Sequence, residues 1–481
     1  MTLTGDGEAT WDAEPSNADP TGRTSCDDTI SLDGRLCVAK AGRHRASRRR
    51  PGPLPAGRLR GRLNFGEVGH SVVQTVGYNI AFSGAGSLGG LLIARVTGPA
   101  VRGEYTAVTS WYSFATLLGE LGLPVAVCFY VAKDSRRAPG YVGTARNMML
   151  VTCVVMMLGG LGLAHVLGHG QRSLTVAYSI AFLSLPVTCC GDCLTFALMG
   201  RSISLWNRAR VSQPLVALAA LVVLWRVDML TLDAALLVLL GSVAVQLGCS
   251  HWACRSTQLV PARMAGELMR PLAGYGFSQV AAVAPQAINA YMDQLVLSVA
   301  VPPADLGRYS IAVAITLLPL PFVSAIGYVL LPFIAAGKAD PARTPELHRR
   351  ALLLSLGLSS AILLPLALGA PWLIPRFFGP AYRGSVPLVW ILTPGGIFLA
   401  CSQTVANILR GLNRQMVTAR AEGIALVFTA VLLACLLPVM GVTGAAVAST
   451  IPYGISLGLM LRQFRHNPGK PSKERDERSG P

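Results

Sequence analysis

Charged side chains are scarce in this 481-residue chain: they make up 14% of it, against about 25% in a soluble domain. Water is therefore not its main solvent. Acidic residues are scarcer than basic ones, 24 against 41, for a net charge of +17. Such an excess could suggest nucleic acid, but the basic residues fall in short clusters between apolar runs instead of on one soluble face, so nucleic acid is excluded as a partner. No cysteine spacing repeats, although there are eleven cysteines. Cys128, Cys153, Cys249, Cys401 and Cys435 lie inside apolar stretches, which argues against a disulfide framework and for small hydrophobes. No D-x-D motif and no His/Asp/Glu cluster appears in the outward loops, which all look short, so neither a metal nor enzymatic activity is expected.

What is present is hydrocarbon. Hydrophobic residues make up 52% of the chain, and the mean hydropathy is +0.50. The apolar runs reach twenty or more residues, long enough to cross a membrane core of roughly 30 Å. Helices follow, because each spanning segment must satisfy its own backbone groups. The pattern predicts an all-α polytopic membrane protein with about twelve transmembrane helices, at 71–95, 105–131, 145–168, 174–199, 205–226, 231–254, 272–300, 307–336, 350–374, 384–410, 415–438 and 442–461.

The loops assign the sides. Lys133/Arg136/Arg137, Arg201/Arg208/Arg210, Arg255/Arg263/Arg270, Lys338/Arg343/Arg349/Arg350, Arg410/Arg414 and both tails fall together, whereas the opposite side has isolated arginines such as Arg102, Arg172, Arg308 and Arg383. Both termini are therefore expected in the cytoplasm of a cell-membrane protein. Residues 1–66 run from acidic (Asp6, Glu8, Asp12, Glu14) to Arg-rich and cannot fold alone. A misassigned start codon would also account for them. A cleaved signal peptide fits less well, because the apolar run is too long and too far from Met1.

A repeat divides the rest. Pro99-Ala100-Val101-Arg102-Gly103-Glu104-Tyr105 returns as Pro303-Ala304-Asp305-Leu306-Gly307-Arg308-Tyr309, both reading P-A-x-x-G-x-Y. Ala209-Arg210 is echoed by Ala419-Arg420. The expected organisation is a six-helix lobe over 67–265, a second over 266–465 and a short tail over 466–481. An even number of helices per lobe relates the lobes by a pseudo-twofold axis along the membrane normal.

Further segments resemble a known family. They are Ala94-Arg95-Val96-Thr97-Gly98-Pro99, Leu121-Gly122-Leu123-Pro124, Asp293-Gln294-Leu295-Val296-Leu297, Phe378-Gly379-Pro380-Ala381-Tyr382, Gly411-Leu412-Asn413-Arg414 and Gly441-Val442-Thr443-Gly444-Ala445-Ala446. In order and spacing the chain resembles the polysaccharide-biosynthesis (O-antigen-type) flippases of the multidrug/oligosaccharidyl-lipid/polysaccharide (MOP) superfamily. The resemblance implies two lobes around a central cavity that opens alternately to each side and turns over a polyprenyl-pyrophosphate-linked saccharide. Lipid II flippases of the superfamily carry arginines in their first two helices and have fourteen helices. Here the first helix has none before Arg95, which favours an oligosaccharide unit as substrate.

Ionisable groups inside a membrane helix cost about 2.5–3.5 kcal/mol each on insertion scales, so they are candidates for function. Glu120, Asp192 and Asp293 are the acids singled out on this ground. Gln279, Gln286, Asn289 and Asp293 recur on one helical face and are expected either to line the transport path or to hydrogen-bond between helices. An anionic pyrophosphate needs cations, and Arg offers bidentate donors. Arg210 and Arg420 occupy equivalent places in the two halves and could form a cytoplasmic clamp, or could snorkel to headgroups. Arg95 and Arg146 are weaker candidates. Gly84-Ala85-Gly86-Ser87-Leu88-Gly89 fits G-x-G-x-x-G but has no preceding strand, so it reads as helix packing. Cys190 and Cys193 have C-x-x-C spacing in an apolar helix and read as packing or a bend.

The expected partners are the bilayer, the polyprenyl-linked glycan, and the glycosyltransferases and polymerase of the same pathway. No cofactor is expected, and a coupling ion, H+ or Na+, is left open. The alternatives are a multidrug or cation antiporter of the same superfamily and, more weakly, a membrane-embedded glycosyltransferase or ligase. A major-facilitator transporter is disfavoured, because the loop after the second helix reads Ala132-Lys133-Asp134-Ser135-Arg136-Arg137 and lacks that group's G-x-L-x-D-R-x-G-R pattern.

Overall fold

Leu368 and Val439 are 82% and 81% exposed. Side chains of this kind belong in a core if the solvent is water, so their exposure marks a surface facing lipid. The computed structural model describes residues 65–324, 344–412 and 414–466. The predicted tail up to residue 64, the inner end of the eighth helix with Lys338 and Arg343, and residues 467–481 lie outside them.

Among the described residues every regular element is helical. The order is α1 (Phe65–Glu120), α2 (Leu123–Lys133), α3 (Ala138–Leu167), α4 (Arg172–Leu183), α5 (Leu185–Arg201), α6 (Ile203–Arg226), α7 (Leu232–Ser256), α8 (Gly266–Ala300) and α9 (Pro303–Thr316). After the undescribed stretch come α10 (Thr344–Phe377), a 3-10 turn at Pro380–Tyr382, α11 (Ser385–Gly411) and α12 (Gln415–His466). By length and composition, 9 helical spans among the described residues could cross a membrane. Two of these, α1 and α12, are each two passes joined at a single glycine: Gly98 (φ 79°, ψ 178°) and Gly441 (φ 58°, ψ −136°). With the more polar α8, the described helices make the expected twelve passes.

Two breaks depart from the predicted boundaries. The repeat was expected in loops, with helices from 105 and 307, yet Pro99 and Pro303 begin those helices. Proline's fixed φ suits the first helical position, and the N–H it lacks would have had no partner there. The second pass is also interrupted, at Leu121 (φ 49°) and Gly122 (φ 67°). The interruption packs on α8: a Cβ on Gly122 would meet the Gly276 carbonyl oxygen at 2.6 Å, and one on Gly276 would meet the Leu121 oxygen at 2.8 Å. Thr152 Oγ1 donates to the carbonyl of Gly119 at 2.5 Å, supplying a partner that the broken helix no longer offers.

Helix contacts run α1 on α6, α6 on α7 and α5 on α7 in the first half, and α10 on α11, α11 on α12 and α8 on α12 in the second. The two halves meet chiefly where α1 crosses α9. Small residues allow such close crossings in lipid, where apolar side chains gain little by leaving hydrocarbon. The cysteines require one correction: Cys153 and Cys189 are joined as a disulfide between α3 and α5, whereas Cys190, Cys193 and Cys254 are free thiols. Their scattered spacing carried no sign of that pairing, because the fold alone brings the two positions together.

Candidate functional site

The first pass of α1 presents Asn79, Ser83, Ser87 and Gly90 at intervals of four, four and three residues, which is one helical face. This face lines a cavity of about 750 Å3 whose other walls come from α9 and α10 and include Ile311, Leu366, Leu373 and Phe378. Among the described residues Arg102 is the one charged residue in the lining. Its Nε donates to Ser310 Oγ at 3.3 Å, and its guanidinium lies 5.8 Å from the centre of the Tyr105 ring. The chain turns back so sharply at Gly98 that both terminal nitrogens of Arg102 lie 3.6 Å from where a Cβ on Gly90 would stand. Among the described residues those terminal nitrogens have no hydrogen-bond acceptor. From the sequence alone Arg102 is an isolated arginine of an outward loop. Recognising Pro99 as a helix start would have carried it one turn into the second pass.

At the other end of the same face, Arg210 of α6 donates to Asn79 Oδ1. Its guanidinium stacks 4.0 Å from the Trp206 ring centre and 6.0 Å from that of Phe82. Asn79 and Phe82 both line the cavity, so Arg210 stands directly behind its wall. Arg420 differs: it is exposed, and α12 does not pack along α6, so the structure does not bring the two arginines of the expected clamp together. Arg95 donates to the Arg376 carbonyl oxygen at 3.2 Å and ties α1 to α10. Arg146 donates to Asn147 Oδ1 at 3.2 Å.

Asp293 lies away from this lining. It is buried, accepting from Tyr309 Oη at 2.5 Å and Ser449 Oγ at 3.3 Å on Oδ2, and from the Gln294 backbone N–H at 2.7 Å on Oδ1. It thereby ties α8 to α9 and α12, an interhelical arrangement with every partner in hydrogen-bonding range. Asn289 is buried beside it on α8 with Oδ1 unpartnered among the described residues, and Gln286 and Gln279 are half-buried. The polar contacts from α8 to the first half come from other residues. Ser110 Oγ donates to Gln294 Oε1 at 2.8 Å, and Trp111 Nε1 donates to Ser298 Oγ at 2.9 Å. Gln294 and Ser298 are themselves four residues apart and form a second, uncharged polar stripe on α8. Glu422, buried and accepting from Ser456 Oγ at 2.9 Å, was missed too, because it lies near a helix start.

Glu120 and Asp192 form a pair. Their carboxyl groups lie next to each other, and Gln246 Nε2 donates to Asp192 Oδ1 at 3.2 Å. Beyond Gln246, Thr195 and Ser250 share a hydrogen bond of 2.8 Å. The G-x-G-x-x-G segment packs closely only at Gly89, against Leu221; at Gly84 and Gly86 a Cβ would meet open space, and Gly86 lines the cavity. No group of three metal-ligating side chains occurs among the described residues.

A family model described as polysaccharide biosynthesis protein matches residues 70–338. No curated protein matches. Among solved structures, the chain is similar to the lipid II flippase MurJ in an inward closed conformation, with 13% identity, 82% of this chain and 87% of that one covered, and a TM-score of 0.67. A multidrug resistance MATE family transporter of the MOP superfamily, in its inward-facing conformation, gives 12% identity, 82% and 97% coverage and a TM-score of 0.65. A MOP superfamily transporter from Pyrococcus furiosus gives 11%, 83% and 95%, and 0.60. At these identities the likeness shows the fold, that of MOP transporters. With the model matching more than half its length, the chain belongs to the polysaccharide biosynthesis protein family.

Proposed function

We propose that this protein is a flippase that carries a polyprenyl-pyrophosphate-linked oligosaccharide across the cytoplasmic membrane by alternating access, for export of a cell-surface polysaccharide. The observation that carries the reading is the cavity itself, with largely apolar walls and Arg102 as the one charged lining residue among the described residues. An arginine held against apolar walls gives up part of its hydration. Charge-assisted hydrogen bonds to a phosphate return about 1.5–3 kcal/mol each, so an anionic head would offset the cost while it occupies the site. Hydrocarbon walls would accept the isoprenoid chain beside it. The clustering of basic loop residues supports cytoplasmic termini, and family membership supports a place beside glycosyltransferases and a polymerase.

The test is translocation of a labelled polyprenyl-linked glycan by vesicles containing the purified protein. Absence of translocation, with the protein folded and correctly inserted, would end the reading. Cation-coupled antiport of a drug is a second reading, favoured by the Glu120–Asp192 pair, since two neighbouring carboxyls inside the membrane are a natural place to take up a coupling cation. Transport that is indifferent to proton and sodium gradients would count against it.

A further inference from the structure

Two contacts join the halves at the end of the bundle where α1 turns at Gly98. One is the crossing of α1 on α9. In the other, a side chain of each half hydrogen-bonds to the backbone of the opposite half. Tyr382 Oη, from the 3-10 turn of the second half, donates to the Ala94 carbonyl oxygen of α1 at 3.2 Å. Arg95, the next residue of α1, donates to the Arg376 carbonyl oxygen of α10, also at 3.2 Å. The two bonds run in opposite directions across one seam, and Ala94 and Tyr382 are both 0% exposed.

The seam lies directly behind one end of the cavity. The first pass of α1 lines the cavity as far as Leu91, and Ala94 and Arg95 follow within about one turn. On the opposite wall the lining ends at Phe378, and Tyr382 follows four residues later. The Phe378 and Tyr382 rings pack with centres 6.0 Å apart, so the cavity wall rests on the buried tyrosine.

The turn that carries Tyr382 is fixed to the second half. Arg308 of α9 donates to the Ala381 carbonyl oxygen at 3.3 Å and pairs with Asp305 at 2.7 Å. Ser385 Oγ of α11 donates to the Arg308 carbonyl oxygen at 2.9 Å. The first half has no counterpart: its turn at the same end, 168–171, lacks an aromatic residue, and His169, Gly170 and Gln171 are exposed.

We propose that this seam is a latch, the contact that closes the cavity at this end and parts when the cavity opens there. Water replaces both bonds once the seam is wetted, so their net contribution is small. That suits a contact made and broken in every cycle. The latch rests on the reading of the protein as an alternating-access carrier, but its opening is measured without any substrate.

The test places Ser87→Cys in the lining and measures its modification by a membrane-impermeant maleimide in intact cells and in inverted vesicles. The chain without that substitution gives the background. Gln171→Cys, exposed at the latch end, marks the side from which that end is reached. From that side Tyr382→Phe, which keeps the ring and loses the hydroxyl, should raise Ser87→Cys labelling about threefold or more, the effect of one lost hydrogen bond on a two-state balance. Arg95→Ala should do the same. Arg172→Ala, at an exposed arginine of that end outside the seam, should leave labelling unchanged. Conversely, a short cleavable bifunctional thiol reagent joining Arg95→Cys to Arg376→Cys should abolish labelling from that side, and cleavage should restore it. Background-corrected labelling equal to that of Ser87→Cys alone in Tyr382→Phe or Arg95→Ala, or undiminished labelling with the bridge in place, overturns the proposal.

A vesicle assay with a labelled polyprenyl-linked glycan separates the latch from the flippase reading. If the unbridged protein carries the glycan and the bridged protein carries it as fast, the latch falls and the flippase reading stands. If the wild type carries no glycan but the latch variants still expose Ser87→Cys, the latch stands and the flippase reading falls.

Discussion

Gly103 and Gly307 hold the two halves of the protein together by mirrored contacts. A Cβ on Gly103 would lie 1.7 Å from the Pro303 carbonyl oxygen, and one on Gly307 would lie 1.9 Å from the Pro99 oxygen. Each glycine thus faces the first residue of the other's helix, the reciprocity expected of a twofold relation. Backbone atoms cannot move aside as a flexible side chain can. Gly103→Ala and Gly307→Ala should therefore each destabilise the protein by about 1–3 kcal/mol or more. Thermal unfolding in detergent would check this. The double variant should lose less than the sum of the singles, because one separation of the helices relieves both clashes; strict additivity would contradict the shared crossing.

Asp293 makes its strongest case as a structural junction. Replacing it with Ala removes the main acceptor of the buried Tyr309 hydroxyl, which is left with Ser449 Oγ at 3.1 Å, while Ser449 keeps the Ala445 carbonyl at 3.1 Å; the loss is expected to cost about 1–3 kcal/mol. Asp293→Ala is expected to lower thermal stability and membrane abundance, and Tyr309→Phe to lower stability less. Transport should be measured per folded molecule. Undiminished stability with reduced transport would instead favour a role in the path.

Much of the fold was legible because length and hydropathy report directly on a bilayer. The twelve passes follow from them, and the P-A-x-x-G-x-Y repeat already marked the two elements that cross. The breaks were not legible. Leu121 adopts a positive φ because Gly122 and Gly276 let two backbones touch, and nothing in the local composition near Leu121 encodes that contact. For the candidate cavity, residue type and register have to be read together. Arginine was the expected chemistry, but Arg420 is exposed while Arg102, taken for a loop residue, lines the cavity. The difference came from one proline at a helix start.

The Glu120–Asp192 pair makes a distinct expectation. Glu120→Gln sets an amide donor beside Asp192 in place of a second carboxyl, so stability should change by less than about 1 kcal/mol. Glu120→Ala leaves the half-buried Asp192 with Gln246 as its remaining partner and should cost more than Glu120→Gln, about 1 kcal/mol or more. Thermal unfolding ranks the two variants. If the pair also carries a coupling proton, Glu120→Gln should transport without moving protons, read as loss of substrate-dependent acidification in vesicles while the protein stays folded.

Gly98 links backbone to chemistry. Its φ of 79° and ψ of 178° fall in a region that is essentially closed to residues with a Cβ, at about 1–3 kcal/mol. Open space surrounds the position where a Cβ would stand, so the penalty on Gly98→Ala is conformational and not a clash. A chain relieving that strain would reopen the corner between the two passes of α1 and draw Arg102 away from Gly90. Gly98→Ala should accordingly weaken farnesyl diphosphate binding several-fold while farnesol, which needs only the apolar wall, binds nearly as before. Gly84→Ala, on the same helix with equally open surroundings and ordinary helical geometry, is the control and should leave both affinities unchanged. Equal behaviour of the two variants would mean that the corner does not position Arg102.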